Sequence, residues 1–152
     1  MSSPYLDVFR SSRIAAVLVL GFSSGLPLAL TGSTLQAWLT VSGIDIQTIA
    51  WFSWIGLPYA LKFFWSPLMD RFVPPVFGRR RGWMLLTQAA LIAGIAAMAV
   101  SPPGAALWIL GCAALWVAFA SASQDVVIDA YRTDVLGAQE RGAGAAVGVL
   151  GY

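Results

Sequence analysis

The sequence contains no histidine and a single cysteine, Cys112, and only 11% of its 152 residues are charged. Without histidine it lacks the commonest metal ligand and the one side chain that ordinarily titrates near neutral pH. One cysteine excludes an intrachain disulfide and a cysteine-built metal site. Absent too are a glycine-rich phosphate loop, zinc-ligand spacing and a nucleophile with an adjacent base, so neither an enzyme nor a bound cofactor or metal is expected. The scarcity of charge excludes an ordinary soluble domain, because 59% of the residues are hydrophobic and the mean hydropathy is +0.76.

What is abundant is long apolar sequence. A helix crossing a hydrocarbon core of roughly 30 Å needs about 20 mostly apolar residues. Four complete runs of that kind lie near Ile14 to Leu39, Thr48 to Leu68, Trp83 to Val100 and Ala105 to Ala130. A fifth begins at Gly142 and reaches Tyr152 without a closing polar cap, with Gly144 and Gly148 in a small-xxx-small pattern, so a longer protein is expected. No strand-like alternation runs through these segments, which excludes a barrel and predicts an all-α, polytopic membrane protein embedded in a lipid bilayer. The first run is too long for a cleaved signal peptide and is followed by further spans.

Positive charge is distributed unevenly. Arg10 and Arg13 precede the first run, Arg71, Arg79, Arg80 and Arg81 separate the second from the third, and Arg132 and Arg141 follow the fourth. The alternate loops have no Lys or Arg: Val41 to Gln47 offers only Asp45, and Ser101 to Gly104 reads Ser-Pro-Pro-Gly. This asymmetry predicts a cytoplasmic N-terminus and a cytoplasmic Arg-rich loop. Topology explains the arginine triplet without a nucleic-acid partner. Trp38, Trp51, Trp54, Trp65, Trp83 and Trp108 fall near run ends, where indoles are expected as interfacial anchors.

The fourth run ends in Ser121-Ala-Ser-Gln124-Asp125-Val-Val-Ile-Asp129-Ala-Tyr-Arg132. Helical spacing puts Ser121, Asp125, Asp129 and Arg132 on one face. Charge at this depth is expensive and turns toward a protein interior or a water-filled cavity. Two readings stand: a stripe that titrates protons or touches a polar substrate, and a charge network that sets helix packing or gates one end. Lys62 lies eight residues before Asp70 and Asp125 seven before Arg132, which puts both about 10 to 12 Å inside the cytoplasmic boundary. Lys62 is therefore expected to pair with Asp125 or Asp129, the alternative being that its ammonium snorkels to the headgroups. The first run carries Ser24, Thr31 and Gln36 among other polar residues, and Pro27 beside its glycines predicts a kink. Its hydroxyls and amides either bind a polar solute or bond to neighbouring helices. Pro58 after Gly56 predicts a second bend.

Asp70-Arg71, followed by Gly78-Arg79-Arg80-Arg81 between a second and a third span, resembles the signature of the major facilitator superfamily. Two features depart from it: Ser66 stands at the initial glycine position, and Pro74 and Pro75 lengthen the gap before Gly78. Both departures are similar to the AmpG-type muropeptide permeases of that superfamily. So are the runs Gly21-Phe-Ser-Ser-Gly-Leu-Pro-Leu-Ala-Leu-Thr31, Lys62-Phe-Phe-Trp-Ser-Pro-Leu-Met-Asp-Arg71 and Ser121-Ala-Ser-Gln-Asp-Val-Val-Ile-Asp129. The resemblance covers essentially the whole chain.

The resemblance implies the N-terminal part of a transporter of 12 or more helices in the bacterial inner membrane. It would import N-acetylglucosaminyl-anhydro-N-acetylmuramyl peptides with protons, feeding peptidoglycan recycling and β-lactamase induction. It also implies that Asp70 and the arginines, with Arg71, Arg79, Arg80, Arg81 and Arg132 at the gate, latch the cytoplasmic side against an acidic residue of the fourth helix. Asp125 or Asp129 is expected to be that residue, leaving the other for protons or substrate. Ser24, Thr31, Gln36, Gln124 and Asp125 are expected to face the sugar and peptide, and the segment alone, without the remaining helices, is not expected to transport. Another substrate such as an acyl-coenzyme A, or a four-span scaffold, are the competing readings.

Overall fold

A computed structural model describes residues 11–75, 77–104, 106–137 and 140–151. Arg10 lies outside the described residues. Every element among them is helical. That follows from the solvent, because a chain in hydrocarbon must satisfy each backbone N–H and C=O internally.

The first helix runs without a break from Ser12 to Val41, 30 residues or about 45 Å. It comprises α1 (Ser12–Ala29), a π turn (Leu30–Thr34) and α2 (Leu35–Val41). The irregularity expected at Pro27 takes the form of that π turn, because proline has no N–H to offer the preceding turn and the helix widens just beyond it. Thr31 Oγ1 donates to the Pro27 carbonyl at 2.8 Å. Gly43, at φ +76, lets the chain reverse after the helix. Asp45 then caps the next helix, accepting from Thr48 Oγ1 at 2.7 Å and from Thr48 N at 2.8 Å. The Thr48 hydroxyl and then its backbone N–H hold the Asp45 carboxyl below the usual carboxylate range.

The second apolar run is helical but broken. It divides into α3 (Ile46–Phe52), a 3-10 turn (Ser53–Gly56), α4 (Leu57–Leu61), a 3-10 turn (Lys62–Phe64) and α5 (Ser66–Arg71). Pro58 and Pro67 sit in the first turns of α4 and α5, where the missing N–H interrupts nothing within the new segment. Among the described residues, three continuous helices are long and apolar enough to cross a membrane: Ser12–Val41, Arg79–Ala99 (α6) and Leu107–Val135 (α7). The last continues five residues beyond Ala130, which carries Arg132 and Asp134 on the same helix as Asp125. A final helix, α8 (Arg141–Gly151), follows.

The central helix is α7. Six successive residues, Ala120 to Asp125, are buried, so neighbours surround it at that level: α6, α1, the second run and the π turn. Small side chains permit the approach. A Cβ on Gly94 of α6 would lie 2.6 Å from Val117 Cγ2, and one on Gly21 of α1 would lie 2.6 Å from the Gly148 carbonyl oxygen of α8. Ile14, Val17, Leu136 and Val147 close the α1–α8 seam.

The tryptophans divide into two groups. Trp38, Trp51, Trp54 and Trp108 remain on the surface. Trp65 and Trp83 tie segments together: Trp65 Nε1 donates to Ser123 Oγ at 3.1 Å and Trp83 Nε1 to the Phe72 carbonyl at 2.8 Å, while Trp116 Nε1 donates to the Ala90 carbonyl at 2.9 Å. An indole N–H away from water needs an acceptor, and helix interfaces supply one.

Candidate functional site

Helical spacing aims the polar residues of α7 in sequence along its length, and the structure separates them by burial. Asp125 is buried at 6% exposure, whereas the Asp129 side chain is 55% exposed. Asp125 accepts a hydrogen bond from Ser24 Oγ of α1, and Lys62 Nζ lies 3.6 Å from its other oxygen. Lys62 opens the second 3-10 turn of the broken run, and that turn packs against α7. Asp129 takes a different partner, Arg132 Nη2 of its own helix, at 3.1 Å.

Lys62, Asp125, Asp129 and Arg132 line one cavity of about 130 Å³, floored by Gly21 and Gly148 where α1 meets α8. Gly148 makes room for the guanidinium, since a Cβ there would lie 2.9 Å from Arg132 Nη1. An ammonium, a guanidinium and two carboxylates thus share a pocket within an apolar bundle.

Three more polar groups gather around the π turn, on the side of Asp125 away from the arginine loop. The Tyr59 hydroxyl lies beside those of Ser121 and Thr31 and within the field of Asp125. Tyr59 Oη, Ser121 Oγ and Gln124 Oε1 are buried and have no hydrogen-bond partner among the described residues. Of the first-helix candidates, Ser24 joins the Asp125 cluster, Thr31 bonds its own helix beside Tyr59, and Gln36 stays partly exposed on α2, outside both groups.

The arginine loop forms a separate assembly. Arg80 Nη1 reaches Asp70 Oδ1 at 2.7 Å and Arg80 Nε reaches Asp134 Oδ2 at 2.9 Å, while Arg79 Nη1 donates to the Asp70 carbonyl at 3.4 Å. Arg71 and Arg81 are exposed. The partner of this cluster on α7, the fourth apolar run, is therefore Asp134, which corrects the expectation of Asp125 or Asp129. The reason is axial distance: Asp125 lies nine residues, about 13 Å, up the helix from Asp134, and Asp129 is held by Arg132. Helix periodicity could have pointed to Asp134, but it lay beyond the end assigned to the apolar run. Tyr59 was legible as the residue three before Lys62, on the same helix face.

These helices, with paired charge buried among them, define a polytopic helical membrane protein. The chain belongs to the family described as acetyl-coenzyme A transporter 1, whose model matches residues 13–106. It is 60% identical over all 152 residues to the anhydromuropeptide permease of Escherichia coli K12, covering 31% of that protein. It is 42% identical over 132 residues, 87% of this chain and 31% of the relative, to an uncharacterized protein of Haemophilus influenzae. Over 148 residues, 95% of this chain and 36% of the relative, it is 35% identical to putative transporter AmpG 4 of Rickettsia felis. The chain thus spans about a third of the length of these relatives.

Proposed function

We propose that this chain forms part of a proton-coupled secondary transporter of the major facilitator superfamily that imports anhydromuropeptides across the bacterial inner membrane for peptidoglycan recycling. The observation that carries the reading is Asp125, a carboxylate buried among apolar helices and held by Ser24 and Lys62, in a sequence similar throughout to an anhydromuropeptide permease. Positive charge in the 71–81 loop supports a cytoplasmic N-terminus and loop.

The chemistry is an exchange of partners. In the ionised pair, Asp125 neutralises Lys62. A proton added to Asp125 converts its carboxylate to a neutral acid and leaves the ammonium without a counter-charge inside the bundle, which is costly. A carboxylate of the substrate's peptide replaces it, so proton and anionic substrate bind together and are released together. Movement of the two halves of the transporter around such a site would carry both across. The Asp70–Arg80–Asp134 clasp would latch the cytoplasmic end in one state.

The test is uptake of labelled anhydromuropeptide into vesicles containing the intact transporter. Asp125→Asn should reduce gradient-driven uptake at least about tenfold, equivalent to about 1.4 kcal/mol in the rate-limiting free energy. Uptake that survives both Asp125→Asn and Asp129→Asn would sink a proton or substrate role for either. The family description favours one second reading, an acyl-coenzyme A cargo. Competition decides between them: acetyl-coenzyme A should leave muropeptide uptake unchanged, and a block would favour the coenzyme reading.

A further inference from the structure

Asp125 faces polar surroundings on two sides. Toward the arginine loop it lines the cavity shared with Lys62, Asp129 and Arg132. Toward the middle of the bundle are Tyr59 Oη, Ser121 Oγ and Gln124 Oε1, all buried without a hydrogen-bond partner among the described residues. Ser121 and Gln124 are three apart on α7, at 1% and 3% exposure, and the hydroxyl of Tyr59, on α4, lies beside that of Ser121. Ser121 stands at the middle of α7, 14 residues or about 21 Å from either helix end.

Unpaired hydroxyl and amide groups within an apolar bundle are costly. Two hydroxyls and an amide oxygen supply the two to four donors and acceptors that an internal water requires. The π turn packs against both α7 and the 3-10 turn before α4, and it carries Thr31 beside Tyr59.

We infer that Tyr59, Ser121 and Gln124 bound a buried water site, continuous with Asp125, through which the carboxylate exchanges its proton with the side of the membrane opposite the arginine loop. Asp125 is then the junction between a central water site and a charged cavity at the loop end. Tyr59 acts as a relay: its oxygen accepts a proton from one water while its own proton passes to the next, so no net charge stays on the phenol. This extends the proposed function by naming the proton's route; the relay rests on that reading, and the water site does not.

Two measurements on the intact transporter in lipid nanodiscs and vesicles test it. In radiolytic hydroxyl labelling, Tyr59, after correction for intrinsic reactivity, should be oxidised severalfold faster than Leu39 and Leu110, which are fully buried on adjoining helices. Ser121→Val should reduce Tyr59 labelling toward their rate. Tyr59 labelling no faster than those leucines would overturn the water site. In vesicles, Tyr59→Phe should lower the ratio of proton-driven net uptake to substrate exchange about tenfold. A purely structural tyrosine would lower both equally, and that outcome overturns the relay. If wild-type uptake ignores the proton gradient, the proposed function fails instead, and the labelling still decides whether the water site exists.

Discussion

Lys62 and Asp125 meet across the gap between the broken second run and α7, 3.6 Å apart. The carboxylate is 7% exposed and the ammonium 34%, so the pair is open on its lysine side. Removing one member of a fully buried pair costs about 3 to 5 kcal/mol, and the partial exposure of Lys62 should bring the cost of Lys62→Ala down to about 2 kcal/mol. Thermal unfolding of the purified protein checks it. The double variant Lys62→Met/Asp125→Leu should recover most of that loss while abolishing gradient-driven uptake, which separates stability from function. The residue types at 62 and 125 were legible as an expected pair. That Ser24 would be the third member was not, because any of several first-helix hydroxyls could have reached α7, and only the rotation of α1 selects one.

At the scale of elements, glycine decides how closely α1, α7 and α8 approach. Gly21→Ala would place a methyl group 2.6 Å from the Gly148 carbonyl oxygen, and backbone cannot swing aside. Forcing the two helices apart should cost about 1 to 3 kcal/mol, seen as a lower unfolding temperature. Gly148→Ala meets the mobile end of Arg132 instead, at 2.9 Å. It should cost less stability and move Arg132 away from Asp129, changing the charged cavity more than the fold. At the other end of the molecule, Asp45 caps α3 with a carboxyl held below its usual range. Since its folded value lies below the unfolded one, the cap stabilises α3 above the ordinary carboxylate pKa and is lost as pH falls through the lowered value. Hydrogen exchange at Thr48 to Ala50 should therefore quicken in Asp45→Ala at neutral pH, and the variant and parent should converge in acid. The breaks in the second run were announced by Pro58 and Pro67, yet sequence alone read one span there, because hydropathy averages over a window and does not register a change from α to 3-10 geometry.

Across the whole molecule, the loop between α5 and α6 joins elements distant in sequence. Arg80 holds Asp70 and Asp134 with side chains half-exposed on the acidic side, so each contact is worth less than about 1 kcal/mol in water. A double-mutant cycle between Arg80→Ala and Asp134→Ala should give a coupling of that size for stability. The transport rate should fall further than this coupling accounts for if the clasp latches one state of the transport cycle.

The sequence by itself determined that the chain is helical and membrane-embedded, since both follow from composition and spacing: hydrocarbon leaves a backbone no partner but itself. Tertiary structure alone decided that Asp134 rather than Asp129 meets Arg80 of the loop, that Asp125 is buried, and that the Tyr59 hydroxyl comes beside that of Ser121. Those outcomes depend on how each helix is rotated and how far it slides along its neighbour. The Gly21–Gly148 contact, the π turn after Pro27 and the 3-10 turn at Lys62 set that rotation, and a shift of a single residue turns a side chain by about 100°.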